Sequence, residues 1–249
     1  MRFGDLTYLE IRQQAKTGCL AILPTGCTEQ QGPHLPVDFD TWLAERLCLA
    51  ASRRAAGKFR VQSLVLPAIP FGPTPEHRNY GAGYVDIPGK LHSGLVSATL
   101  ASLAAQGFER IVVWRGCGGH DLRETVREFN QASPHEAQAF LPEHPFHDIW
   151  CRLGDPDVPG GHADSFSTSI SLHLRPATVR VNEIRDPAHR AVDWQDPDLD
   201  FARYSSTGVI GNPTHASAQL GAKLWEASVA SVAKTLRAIS LTSASTDGP

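Results

Sequence analysis

The 249-residue chain is poor in several features that would narrow its class at once. No apolar run approaches the roughly 20 residues that span a bilayer, so no membrane partner is expected. The opening stretch MRFGDLTYLEIRQQAK has no apolar core of the secretory type, so no signal peptide is expected there. The five cysteines show no paired spacing, which fits reduced thiols and a cytoplasmic location rather than a disulfide framework. A net charge of −3 without any basic run gives no electrostatic case for nucleic acid. There is no internal repeat and no second-domain linker. What remains is ordinary for a globular protein, 41% hydrophobic and 20% charged, and long enough for one large α/β domain. Residues 1–240 are read as that domain, and the polar tail 241–249 as disordered.

Apolar stretches alternate with helical patterns. Residues 19–24 (CLAILP), 61–66 (VQSLVL) and 110–114 (RIVVW) read as buried strands. Helical spacing is present over 40–56, where Asp40 is placed to cap the start, and over 91–106, closed by Gly107. GCGGHDLRETVREF turns from the third strand into a helix, and 163–174 and 214–239 also look helical. The Pro-rich stretch from Pro134 to Gly161 is expected to be loops with one short strand around Ile149. Strand–helix alternation predicts a largely parallel sheet with helices on both faces.

In such sheets ligands bind beyond the carboxyl ends of the strands. Three loops there carry reactive side chains. The first, 25–40, holds Glu29, Gln31, His34, Asp38 and Asp40, a set that suits a divalent metal or, more plainly, a capped turn. The second, RGCGGHD at 115–121, has the logic of a strand-to-helix turn presenting one side chain. Cys117 there would lie near a helix N-terminus, which favours a thiolate able to act as nucleophile or ligand; a small buried cysteine is the alternative. The third, 160–169, offers His162 as a general acid or base, or as a cap. His77 lies in another Gly/Pro-rich loop. His135, His144 and His147 are expected to be solvated. Cys19, Cys48 and Cys151 are read as packing residues, with Cys27 kept in view for its closeness to Glu29.

Together these loops resemble the creatininase family of metal-dependent amidohydrolases. The family pattern P-x-G-x-x-E-Q-H-G-P-H-L-P followed by Asp is matched by PTGCTEQQGPHLP at 24–36 and Asp40. G-x-x-x-E-H-x-x-x-P-G-T resembles GPTPEH at 72–77 with IPGK at 87–90. N-G-H-G-G-N is matched by RGCGGH at 115–120, H-A-G-E-A-E-T-S by HADSFSTS at 162–169, and S-G-V-x-G-x-P-x-x-A by TGVIGNPTHA at 207–216. The resemblance covers nearly the whole chain and implies a three-layer α/β/α sandwich, commonly a homohexamer. It also implies that Glu29 and Asp40 keep metal-binding positions and that His162 keeps a role in substrate binding and proton transfer. The family's metal-binding His is Gln31 here, another is Cys117, a terminal Asn is His120, and two glutamates are Ser165 and Ser167.

A neutral amide competes weakly with water for a dication, so Gln31 implies the loss of one metal position. Glu29, Asp40 and Cys117 would then hold a single divalent transition metal, zinc first, with iron or manganese as alternatives. Catalytic roles fall to His162, Cys117 and His120, and substrate contacts to His77, Gln31 and Asp164. The expected activity is hydrolysis of a C–N bond in a small amide, lactam, formamide or ureido compound. Three alternatives stand beside it: a metal-free cysteine enzyme using Cys117, a non-catalytic small-molecule-binding or scaffold homologue, and a peptide-processing enzyme.

Overall fold

The computed structural model describes residues 1–132, 136–155, 158, 160–187 and 190–242. His135 and the tail from residue 243 lie outside the described residues. In chain order the elements are α1 (Tyr8–Lys16), β1 (Leu20–Thr25), α2 (Phe39–Phe59), β2 (Ser63–Val65), α3 (Gly89–Ala105), β3 (Arg110–Arg115), α4 (Arg123–Ala132), β4 (Gln138–Phe140), α5 (Phe146–Leu153), α6 (Ser165–Leu174) and α7 (Ala218–Ser240). The four strands form one parallel sheet in the order β2-β1-β3-β4.

β1 shows why the sheet needs cover on both sides. Ala21 and Leu23 point to one face and meet Val96, Leu100 and Leu103 of α3, with Ala15 of α1 and Val126 of α4 in the same cluster. Leu20 and Ile22 point to the other and meet Leu47 and Ala51 of α2 with Val232 and Leu236 of α7. All six residues of the strand are buried, which is the reason it reads as a continuous apolar run rather than an alternation. The result is the expected three-layer α/β/α sandwich. Each buried Leu, Ile or Val contributes about 1.5–3 kcal/mol relative to exposure. A third apolar cluster, around Phe39, Ile149, Phe166 and Leu224, ties α5 and α6 to the second face. Among the described residues no helix is long and apolar enough to cross a membrane.

Several expectations need correction. Ile149 is on α5, where it is buried beside Trp150, and the fourth strand is β4, upstream of it. Asp40 does not cap α2: Asp38 holds the N-cap position, its side chain bonded to Arg175 rather than to the helix, and Asp40 lies in the first turn with its carboxylate turned inward. α1 was not anticipated, although Thr7 and Glu10 form a reciprocal capping box at its start. Gly107 does close α3, with φ 92°.

Candidate active site

The first loop leaves β1 and folds back on itself. The Glu29 N–H donates to the Val37 carbonyl at 3.1 Å, and Gln31 bridges antiparallel to Leu35. Gly32 makes the turn at φ 63°, where a Cβ would also stand 2.5 Å from Val209 Cγ2. This return brings Glu29, Gln30 and Gln31 over the strand ends. The second loop reaches them because Gly116 crosses β1 closely, its N–H donating to the Thr25 carbonyl at 2.6 Å. A Cβ there would stand 2.4 Å from that oxygen and 2.9 Å from Ala44 Cβ. The third loop is pinned by paired bonds between His162 and Ile210, at 2.8 and 2.9 Å. Ala163 then takes φ 52°, a left-handed conformation costing about 1–2 kcal/mol. That turn aims His162 inward while Asp164 accepts from the Ser167 N–H and starts α6.

These loops line a cavity of about 380 Å³. Glu29, Gln31, Asp40 and Cys117 lie on it, with His77, His162 and the apolar wall of Trp194, Leu199 and Phe201. Glu29 is 3% exposed and stands at the centre. Its Oε1 is 3.5 Å from His162 Nδ1, and its Oε2 is 3.4 Å from His77 Nε2 and 3.8 Å from Cys117 Sγ. The Gln31 amide donates to Asp40 Oδ2 at 2.8 Å and to Glu29 Oε1 at 3.4 Å. A neutral donor therefore sits between two buried carboxylates. Burial, then the Glu29 charge, pushes the Asp40 carboxyl well above its usual range, and burial raises Glu29 as well.

Gln30 fixes the chemistry of both histidines. Its Oε1 accepts from the Gly32 N–H at 2.9 Å and its Nε2 donates to the Gly208 carbonyl at 3.2 Å, so the amide has one orientation. Nε2 also faces His77 Nδ1 at 3.0 Å, which makes Nδ1 the acceptor and places the neutral ring's proton on Nε2, toward Glu29. The Gln30 carbonyl lies 2.6 Å from His162 Nε2, so that nitrogen carries the proton and Nδ1 presents a lone pair to Glu29. Burial, reinforced by His77, brings His162 down to about 3; burial also lowers His77. Both rings are thus neutral at ordinary pH, one a donor and one a base.

Other expected residues fall elsewhere. Asp164 caps α6 and also accepts from the Gly161 N–H, and it lines an adjoining cavity rather than this one. His120 is buried beneath the pocket, its ring 4.7 Å from that of His92. Cys117 is not at a helix N-terminus, because α4 begins only at Arg123; burial and the carboxylates outweigh a favourable hydrogen bond with Cys27 and push its thiol up to about 11. His144 is not solvated but packs on Trp114, with Nε2 against the Arg115 carbonyl. His147 is exposed as expected, whereas Cys151 is exposed and not a packing residue. Gln30, Glu76, Trp194 and Phe201 were not anticipated in the site; Glu76 adjoins His77 in GPTPEH and was within reach of the sequence.

The model of the creatininase family, described as creatinine amidohydrolase, matches residues 4–236. The chain belongs to the creatininase family. It is a hydrolase of that family by sequence. A mycofactocin precursor peptide peptidase of Mycobacterium tuberculosis is 30% identical over 91% of this chain and 88% of its own. The creatinine amidohydrolase of Pseudomonas putida is 25% identical over 94% of this chain and 95% of its own. A solved manganese creatininase superposes with a TM-score of 0.80 at 24% identity, covering 95% of this chain and 97% of that one.

Proposed function

We propose that this creatininase-family hydrolase cleaves the C–N bond of a small amide, lactam, formamide or ureido compound in the Glu29 pocket. The observation that carries the reading is the pairing of one buried carboxylate with two neutral imidazoles of opposite tautomer at one end of a cavity of about 380 Å³.

The residues fit a divalent transition metal. Two buried carboxylates without a cation hold protons at a pH where ordinary carboxylates have lost them, and a dication relieves that cost. Glu29, Asp40 and Cys117, the set expected from the sequence, would hold it, zinc before iron or manganese, although the donor whose ligand atom lies within 4.8 Å of both carboxylates is Cys27. When bound, the ion polarises the scissile carbonyl. His77 Nε2–H donates to the same oxygen. His162 Nδ1 accepts a proton as water oxygen bonds to the carbonyl carbon, and that proton passes to the nitrogen as the C–N bond breaks. Water is thereby divided between the acyl and amine products. Phe201, edge-on to both imidazoles, keeps water from the other side of the rings.

The test is amine release from a panel of lactams, formamides, ureido compounds and short peptides. Turnover of one class, abolished in Glu29→Gln and His162→Ala, supports the reading; turnover surviving both removes it. Cleavage of peptides alone would favour peptide processing, the alternative supported by the 30% identical peptidase. A homo-oligomer, a hexamer by family resemblance, is expected in sedimentation, and a monomer at micromolar concentration would count against it.

A further inference from the structure

Beside the pocket lies a second set of donors, which shares only Cys117 with the residues given above to the ion. Cys27 Sγ, Cys117 Sγ and one imidazole nitrogen of His120 all lie within 4.8 Å of one another. All three residues are buried, and Cys27 and His120 are no more than 1% exposed. Among the described residues neither ring nitrogen of His120 has a hydrogen-bond partner. The Pro73 carbonyl approaches the ring without completing a bond of normal geometry. An imidazole so placed leaves buried polar groups unpaired, which is costly unless something takes them up. The backbone makes room for it: a Cβ on Gly72 would stand 2.1 Å from His120 Cε1, so only glycine at that position lets the ring lie where it does.

The chemistry of the set is specific. Two thiols and a neutral imidazole can give up two protons to a dication and leave the cluster uncharged, which suits a buried place. Burial and neighbouring positive charge hold His120 neutral, the form that ligates. The approach to this cluster from solvent is past Cys117, which lines the Glu29 cavity. Cys27 Sγ contacts Asp40 Oδ2 at 3.3 Å and Cys117 Sγ contacts Glu29 Oε2 at 3.8 Å, so each sulfur adjoins a carboxylate residue that lines the cavity.

We propose that Cys27, Cys117 and His120 are the inner donors of one thiophilic dication, of the zinc class, whose remaining position faces Glu29 and the substrate cavity. This deepens the amide-hydrolase reading and rests on its premise that the pocket floor holds an ion. It changes the role of Cys117 from lone thiolate beside two carboxylates to one of a thiolate pair. It also frees Glu29 to carry a proton beside His162. A Cys₂His ion with one open position, next to a glutamate that is not a ligand, is a recurrent arrangement for hydrolysing C–N bonds of amidines and aminopyrimidines. The substrate class extends accordingly from amides to amidines and cyclic ureido compounds.

The test uses the full chain, stripped with chelator, kept reduced and titrated with Co²⁺. One equivalent should produce intense thiolate-to-cobalt absorption in the near ultraviolet and release two protons. Cys27→Ser should roughly halve the band, since one of two thiolates is gone. His120→Ala, and Gly72→Ala without touching a ligand, should weaken binding at least about tenfold. Cys48→Ser should change nothing. Should Cys27→Ser fail to fold, X-ray absorption on the zinc-loaded natural chain counts sulfurs directly, two being expected at about 2.3 Å. Cobalt that binds without a thiolate band places the ion on the carboxylates alone and overturns the proposal, leaving amide hydrolysis standing. A disulfide mapped by peptide mass to Cys27 and Cys117 in unreduced, denatured protein also overturns it. A full band in a protein that hydrolyses nothing on the panel supports the site and sinks the hydrolase reading instead.

Discussion

Replacing Gln30 by glutamate changes one NH₂ for one oxygen, and the surrounding hydrogen bonds dictate the consequence. The retained oxygen still accepts from the Gly32 N–H, but the new one faces the Gly208 carbonyl and His77 Nδ1 where a donor stood. Two acceptors now oppose each other at the carbonyl, and His77 must move its proton to Nδ1 to meet the other. Nε2 then turns a lone pair toward Glu29 and has no proton for a substrate oxygen. Loss of one such preorganised donor costs about 10²–10³ in kcat, or about 2.7–4 kcal/mol, with KM changing far less. The added negative charge opposes the burial that lowers His77, so its pKa rises and the acid limb of the rate profile moves to higher pH. Imidazole nitrogen NMR reads the tautomer directly, and the Gln30→Glu and unsubstituted proteins should give opposite assignments for His77. Gln30→Met, which removes the polar contact without imposing a tautomer, should lose stability by about 1–3 kcal/mol and lose less rate than Gln30→Glu. If the glutamate variant keeps both its kcat and the Nε2–H tautomer, Gln30 does not set the donor.

His162→Ala should lower kcat by about 10²–10⁴ with little change in melting temperature, and an equal fall in stability would mean its role is packing. Gln31→Leu leaves Asp40 and Glu29 without their shared donor and should cost about 1–3 kcal/mol in urea unfolding, part of it recovered on zinc loading; no recovery would mean that the carboxylates do not feel the ion. Acid should destabilise the fold through its buried histidines. His34 and His120 are brought down by burial to about 4, against an ordinary 6.5, so the unfolded chain binds more protons between those values. Stability from this source is complete above about pH 6.5 and is lost as the pH falls toward 4. His34→Gln, which lies outside the pocket and hydrogen-bonds Thr168, should flatten that slope, and an unchanged urea midpoint-against-pH curve would refute the assignment.

The sheet was legible because its strands are buried on both faces. CLAILP and RIVVW have no solvent side to alternate with, so periodicity and burial point the same way. β4 was missed for the opposite reason. Gln138–Phe140 is an edge strand of three residues in which only Ala139 is buried, and nothing in QAF outweighs the loop character of its surroundings. Ile149 misled because a buried isoleucine among prolines reads as strand, whereas here its helix buries one stripe, Ile149 and Trp150, and leaves His147 and Cys151 in solvent. Asp40 misled more instructively. An aspartate ahead of a helical pattern is a sound cap signal, yet the cap position went to Asp38, and the residue two places later was drawn inward to the carboxylate of Glu29.

In the site, the sequence showed which residue types were present but not the direction in which each acts. Gln31 reads as a lost ligand, and its amide does stand between Glu29 and Asp40 as a donor, where a metal-binding imidazole would be an acceptor. Gln30, beside it in the same run, carries more of the chemistry, because its two ends meet a backbone donor and a backbone acceptor that fix its orientation. That orientation comes from Gly32 and Gly208, which are 176 positions apart in the chain, so no local pattern could supply it. Cys27 and His120 illustrate the same limit. Each alone is a buried small residue or a buried ring, and only the close pass of Gly116 under β1 brings them to one point. Under the proposed reading, a ligand is missing at Gln31, and Cys27, Cys117 and His120 supply others close behind the two carboxylates. An ion held there would sit deeper, with Glu29 between it and His162. The loss at position 31 and the gains at 117 and 120 would then be one change: the ligands move to the floor of the pocket and its wall is left for acid–base work.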